Sequence, residues 1–360
     1  MKRTIIRVAG ALFAALALTA AAVGCGGDEA ETVATETRTD AKADAAAELA
    51  FDRPMAASDP FNDPSGPYFH QVMKATSPDG LNFTRVPGVV LNRASVPDII
   101  RLPSGRLIIY AVDGGDRSES GLMVAVSDDD GESWKQGSLQ VEYKGDHRLG
   151  VDPEAVVLDD GSVRLYYVVF PQKQPPPPQP PPPGGQGGTP QGVPPAEPQG
   201  APTAQDSQAP GAGEPVKVMS ALSSNGIDFE EEEGSRLETT ELITDPDVVR
   251  IDGQWYMYVS QGRRNVAYSS FDGMEFTVVG PVREDGSVSN TVPAGGGQYR
   301  QYFCRQGIRS ALSGDGVVWV DDPGVRLAEE PGRIACDPAP IQLPGGWLMF
   351  YKSADVPPPA

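Results

Sequence analysis

SPDGLNF, Ser77–Phe83, is the first of five near-copies of one phrase: SDDDGESW starts at Ser127, SSNGIDF at Ser223, SFDGMEF at Ser270 and SGDGVVW at Ser313. An alternating apolar stretch precedes each copy, GLMVAVS at Gly121 and VKVMSALS at Val216 among them, and an aromatic residue closes it. Asp-Gly or Asn-Gly between two such stretches is the strongest short-range signal for a β-hairpin. Glycine supplies the positive φ of the turn, and the Asp or Asn side chain accepts hydrogen bonds from nearby amides. The phrase therefore predicts five hairpins and gives its aspartates a scaffold role.

A second phrase interleaves with the first. VPDIIRLPSGRLIIYAV begins at Val96, DPEAVVLDDGSVRLYYVV at Asp152, DPDVVRIDGQWYMYVS at Asp245 and DPAPIQLPGGWLMFYK at Asp337, while TVPAGGGQYRQYFC at Thr291 reads as a degenerate fifth. Each is an apolar strand, a glycine-containing turn and a second strand rich in Tyr, Trp, Val and Ile. Two phrases make four strands, and five four-stranded repeats make an all-β, five-bladed β-propeller. On the second strands, Tyr110, Tyr167, Tyr258 and Tyr302 read as blade packing.

The turn glycines Gly80, Gly131, Gly226, Gly273 and Gly316 are 51, 95, 47 and 43 residues apart. The long interval contains the Pro- and Gly-rich tract 171–215, and removing it restores the period. It is thus read as a disordered insertion within one repeat, an exposed arm of extended and flexible chain. The propeller is expected over 67–355. It opens with a hairpin, Tyr68 to Val86, that lacks its inner pair, and ends with an inner pair, Asp337 to Ser353, that lacks its hairpin. Joining the two completes the fifth blade and closes the ring without a free edge.

The N-terminus reads as an export signal over 1–24: Lys2, Arg3 and Arg7, then an apolar stretch from Val8 to Val23. Its ending, AAVGC, resembles a bacterial lipobox, which implies cleavage before Cys25 and a lipid on the Cys25 thiol. The apolar stretch is too short to favour a permanent span, and no later run reaches about 20 apolar residues. Residues 25–66, dominated by Ala, Thr, Asp and Glu, read as a disordered tether. The expected location is the cell envelope, at the surface or in the periplasm, with lipid as the membrane contact. Disulfides persist there, so Cys304 and Cys336 are expected to pair. A net charge of -20 argues against nucleic acid, and a monomer is expected.

The first strand of each blade of a propeller lines the central channel. After the repeated proline stand Asp98, Glu154, Asp247, Ala294 and Ala339; two residues earlier, on the same strand face, stand Val96, Asp152, Asp245, Val292 and Asp337. Crowded carboxylates push at least one pKa upward, leaving one acid protonated beside an ionised neighbour. Glycoside hydrolysis needs that division. Asp152, Asp245, Asp337, His147 and Arg305 are the expected substrate-binding residues, with Arg148, Arg263, Arg264 and Lys352 near the same mouth. No cofactor is firmly implied; calcium is the cation that clustered carboxylates would suit, although no calcium-loop motif is present. Nothing in the chain spells a hydrolase triad, a P-loop or a dinucleotide fingerprint.

Two family resemblances rest on these residues. Ser127, Asp129, Gly131, Ser133 and Trp134 match the Asp-box of β-propeller sialidases, where the box is a structural hairpin. Residues 68–353 without the insertion resemble the five-bladed propeller glycosidases, the arabinanase, xylosidase, invertase and levansucrase group. That resemblance implies a carbohydrate or envelope glycan as partner, Asp98 as base or nucleophile, Glu154 as acid and Asp247 as the residue that tunes its pKa. The chain departs from the group in placing its glutamate on the second of the three inner strands rather than the third. The alternative is a non-catalytic propeller that binds glycan or protein, its Asp-Pro pairs serving to start strands and cap amides.

Overall fold

The structure, a computed structural model, describes residues 53–116, 120–144, 150–171 and 215–355. The signal, Cys25, the tether up to residue 52, His147, Arg148 and the Pro/Gly-rich tract between Pro171 and Pro215 lie outside them. Among the described residues, regular structure is all β apart from a 3-10 turn at Pro67–Phe69.

The strands form five sheets. The first blade is Ala94–Arg101, Leu107–Asp113, Leu122–Ser127 and Lys135–Ser138. The second is Val151–Val157, Val163–Val169, Val216–Ser223 and Asp228–Glu231, with Gln140–Glu142 and Leu237–Thr239 added. Thr244–Ile251, Gln254–Gln261, Arg264–Ser270 and Thr277–Arg283 make the third, and Ser287–Gly295, Gln298–Cys304, Ile308–Ser313 and Val320–Asp321 the fourth. The fifth takes Cys336–Leu343 and Gly346–Ser353 from the end of the chain and Gln71–Ser77 and Thr84–Asn92 from its beginning. Gln71–Ser77 runs antiparallel to Gly346–Ser353, from Gln71 opposite Ser353 to Ser77 opposite Trp347. The flanks of the insertion, Val163–Val169 and Val216–Ser223, are neighbouring strands of one blade.

The five repeated turns fold alike. In the first, the Ser77 hydroxyl accepts the Gly80 N–H at 3.0 Å, while Asp79 accepts the N–H groups of Leu81 and Asn82 at 2.8 and 2.9 Å. The glycine sits at φ 72–86° in all five. Its carbonyl is also a latch between blades. Tyr110, Tyr166, Tyr258 and Tyr302, each buried in a second strand, donate their hydroxyls to the carbonyls of Gly226, Gly273, Gly316 and Gly80 of the next blade at 2.7–2.9 Å. The second blade uses Tyr166 in this role and not Tyr167, whose hydroxyl donates to Glu231 at 2.6 Å. In the fifth blade Phe350 stands opposite Ala339 and has no hydroxyl; there Lys74 donates to the carbonyl of Gly131 at 3.0 Å.

The tether reading is too long at its C-terminal end. The Arg53 side chain is covered and reaches Asp113 at 2.9 Å, the Asn92 carbonyl at 2.8 Å and Gln136 at 3.0 Å. Phe61 and Asp63 are buried as well. One arginine in a stretch poor in apolar residues pins 53–66 to the first blade, a contact that composition cannot reveal.

Candidate functional site

All five inner strands carry the same two-residue bulge at the end where they start. Pairing with the second strand skips from Ser95 to Asp98, Val151 to Glu154, Thr244 to Asp247, Ser287 to Asn290 and Cys336 to Ala339. The first skipped residue is left-handed every time: Val96 φ 48°, Asp152 53°, Asp245 49°, Val288 55° and Asp337 48°. Left-handed backbone is strained for any residue with a Cβ, and most so for valine. Bulges of this kind re-aim side chains, and here they set two layers at the mouth of the channel.

This register corrects the reading of the fourth blade. The layer positions there are Val288 and Asn290, not Val292 and Ala294, and Ser289 stands where the other blades have proline. The Val-Pro-Ala of 292–294 mimicked the repeated proline. Distance to the buried aromatic of the second strand would have found the true position: Asp98 to Tyr110, Glu154 to Tyr166 and Asn290 to Tyr302 are each 12 residues, whereas Ala294 to Tyr302 is only 8.

The deep layer is Asp98, Glu154, Asp247, Asn290 and Ala339, all buried. Its acids clip one blade to the next. Asp98 accepts the Ala155 N–H at 2.8 Å, Glu154 the Val248 N–H at 3.2 Å and Asp247 the Thr291 N–H at 2.9 Å, in each case the residue after the next blade's deep position. Asp247 also accepts from the hydroxyls of Ser289 and Thr291, both at 2.7 Å, and from Gln301 at 3.2 Å. The corresponding residue after Ala339 is Pro340, which has no N–H to give. Asn290 instead turns across the axis and donates to Asp98 at 3.0 Å and Glu154 at 3.4 Å.

Burial pushes Asp98 and Asp247 up to about 6 against these hydrogen bonds. Burial and then the charges of Asp98 and Asp247 push Glu154 well above the carboxylate range. Glu154 is therefore the last of the three to ionise.

The outer layer is Val96, Asp152, Asp245, Val288 and Asp337. Asp245 is partly exposed, and Asp152 accepts its N–H at 3.3 Å. Burial and the neighbouring Asp245 push Asp152 well above its ordinary value, while burial and Asp337 bring Asp245 to about 6. Lys352 pairs with Asp337. Burial opposes its charge, but Asp337, with Asp245 and Asp152 behind it, keeps the ammonium above its ordinary value. The cavity between the two layers measures about 20 Å³, room for a single water.

Of the remaining expected residues, Arg305 lies on the rim, paired with Asp321 at 2.7 Å and over the Phe303 ring at 5.3 Å. The disulfide joins Cys304 to Cys336, and the Asp337 N–H donates to the Cys304 sulfur at 3.1 Å, so it also fixes the outer layer. Among the described residues, the one group of three His, Cys, Asp or Glu ligand atoms within 4.8 Å of one another is Cys304, Cys336 and Asp337. Its two sulfurs are already bonded to each other. The axial acids do not converge in that way on a calcium-sized point. Sequence reasoning missed Asn290 and grouped Lys352 with the rim arginines; it stands in the outer layer.

No family model matches the sequence, and no curated protein matches it. Solved structures do. A thermostable family-43 glycoside hydrolase superposes with a TM-score of 0.50 at 14% identity, over 73% of this chain and 88% of the other. A protein of unknown function from Dyadobacter fermentans reaches 0.48 at 12% identity, over 84% and 87%. A family-117 glycoside hydrolase of the marine bacterium Zobellia galactanivorans reaches 0.46 at 14%, over 81% and 91%. At such identity the likeness is one of fold: the chain is a five-bladed propeller of the kind that carries family-43 glycoside hydrolases.

Proposed function

We propose that the protein is a carbohydrate-binding propeller of the cell envelope, in which the deep acids hold the ring together and the mouth face meets the glycan. One observation carries this reading. Asp98, Glu154 and Asp247 each give an oxygen to a backbone amide of the next blade, and the cavity at the mouth, which Glu154 lines and Asp98 and Asp247 do not, admits one water and no sugar ring. The fold shared with a glycoside hydrolase supports the ligand class, and the export signal ending at Cys25 supports the envelope location.

Hydrolysis is the second reading, favoured by the outer layer. There Asp152 is pushed well above its ordinary value beside Asp245, which ionises near 6, and such a division is what an acid and a carboxylate need. The two readings separate in one experiment. Glycan binding and release of reducing sugar are measured over a panel of polysaccharides for the protein and for Asp98→Asn, Glu154→Gln and Asp245→Asn.

Binding without release, weakened in Asp245→Asn and unchanged in the two deep variants, is the expected result. Release that disappears in folded Asp98→Asn and Glu154→Gln would overturn it and make the deep acids catalytic. Anchoring is tested by fatty-acid labelling, which should be lost in Cys25→Ser.

A further inference from the structure

On the mouth face, between the fifth and first blades, lies an open groove of about 600 Å³ lined by Tyr68, Phe69, His70, Gln71, Asn92 and Arg93, with Met55 at its end. Its walls come from segments distant in sequence. The 3-10 turn Pro67–Phe69 forms one wall, and the stretch from Arg53, pinned to Asp113, closes the end. The volume falls in the range that small-ligand sites occupy.

The chemistry of the lining is specific. Phe69 is 50% exposed, a flat apolar face turned to solvent and braced edge-on by Tyr68 at 5.2 Å. Gln71 donates to the Asn92 side-chain oxygen at 3.1 Å and accepts from Arg333 at 2.8 Å. The Asn92 NH2 group is then uncommitted among the described residues. No carboxylate lines the groove. Its guanidinium, Arg93, is already stacked 4.1 Å over Tyr68 and bonded to the Ala56 carbonyl. His70 is neutral at pH 7, because burial and the nearby Lys352 lower it to about 4.

An aromatic face and planar amides that both donate and accept are complementary to a neutral polyol. The one charge in the lining, the Arg93 guanidinium, is already engaged by the Tyr68 ring and the Ala56 carbonyl, and no group there would pair with a cation. His70 also ties the groove to the channel, with its Nδ1 2.8 Å from the Ser95 hydroxyl at the start of the first inner strand.

Resting on the carbohydrate reading above, we propose that this groove is the binding site for a neutral saccharide chain, with one ring stacked on Phe69 and its hydroxyls on Asn92 and Gln71. The chain would run from the rim toward the Asp245 and Lys352 mouth.

The test uses tetrasaccharides of xylan, arabinan, mannan and cellulose, with Kd measured by calorimetry. The proteins compared are the wild type, Phe69→Ala, Asn92→Ala, Phe69→Trp, Asp245→Asn and, as a control on the opposite face, Phe271→Ala, whose ring is 92% exposed. For whichever tetrasaccharide binds, Phe69→Ala is expected to raise Kd at least tenfold and Asn92→Ala several-fold. Phe69→Trp should restore binding, and Phe271→Ala should leave it unchanged. Melting curves of the surface variants establish that they fold. Affinity within twofold of wild type in both alanine groove variants, with binding weakened in Asp245→Asn, overturns the groove and leaves the carbohydrate reading standing. Wild-type protein that binds none of the four overturns both.

Discussion

Asp79, in a surface turn, and Asp247, on the channel axis, spend their carboxylates on the same kinds of partner. Asp79 accepts two backbone N–H groups, the Asn82 amide and the Ser77 hydroxyl; Asp247 accepts one backbone N–H, two hydroxyls and the Gln301 amide. Their titration runs in opposite directions. The Leu81 and Asn82 amides draw Asp79 well below the usual carboxylate range, whereas burial lifts Asp247 to about 6. Four hydrogen bonds stabilise a carboxylate that water also reaches, but do not replace water for one that it does not. The turns use Asp as a solvated cap. The axis uses acids as costly clips that hold the first four blades in register.

Asp247→Ala is the hardest test of that difference. It leaves the Ser289 hydroxyl and the Thr291 hydroxyl and N–H buried without their acceptor, at about 1–3 kcal/mol each, and takes one of two acceptors from Gln301. The loss should exceed about 4 kcal/mol in urea unfolding and in practice prevent folding. Asp79→Ala returns its donors to water and should move the unfolding midpoint by less than half as much. Equal losses would mean that the axis is no more demanding than the surface.

The disulfide sharpens the comparison from the covalent side. It closes a 32-residue separation between the fourth and fifth blades and carries the outer layer at Asp337. Cys304→Ser with Cys336→Ser should cost about 3–4 kcal/mol by loop entropy. It should also loosen the mouth before the turns, read as faster amide exchange at Asp337 than at Gly80. Uniform loosening would show that the bond acts on the ring as a whole.

Acidity separates the two regions without any substitution. A carboxyl whose folded pKa is raised contributes most below its unfolded value near 3.8, and the contribution is lost as pH climbs through about 6. For Asp247 alone this amounts to about 3 kcal/mol. Asp98 and Asp245 move the same way. Turn aspartates such as Asp79 and Asp129, with depressed values, do the reverse, and their contribution disappears as pH falls below the ordinary carboxylate range. Stability should therefore peak near pH 4 and fall as pH rises through about 6, with a shallower fall in Asp247→Asn. A wild-type midpoint that stays flat from about pH 4 to 7 would contradict the burial assigned to the axis.

Most of the architecture was legible because it repeats. The Ser-x-Asp-Gly phrase and the blade-start prolines recur at a spacing that fixes strand count and blade count. The layers were legible only where the repeat kept its proline. Ser289 broke the pattern, so Asn290 was hidden although its spacing to Tyr302 matched that of the first two blades. What the acids do could not be read at all. An Asp beside a proline looks alike whether it faces a sugar or a neighbouring amide; the bulge that turns Asp98 toward Ala155 is a three-dimensional event. The groove at Phe69 likewise joins residues 55, 69 and 92, which no local pattern links.

The smallest effect concerns the tyrosine latches, where the axis side of each blade meets the turn side of the next. Tyr110, Tyr258 and Tyr302 each make one buried hydroxyl-to-carbonyl bond to the following turn at 2.7 Å. Removing the hydroxyl keeps the ring and its packing but leaves a buried glycine carbonyl with one partner fewer, a change worth about 1 kcal/mol. Tyr110→Phe and Tyr258→Phe should each lower the melting temperature by a few degrees. The fifth blade is the internal control, because Phe350 already lacks the hydroxyl and Lys74 has taken the Gly131 carbonyl. Phe350→Tyr should therefore gain nothing, since its new hydroxyl would compete for an occupied acceptor. A stabilising Phe350→Tyr would show that Lys74 is a weaker latch than tyrosine. Loss in the tyrosine variants with none gained at Phe350 would show that the ring closes its last seam, between the fifth and first blades, by a different bond of similar strength.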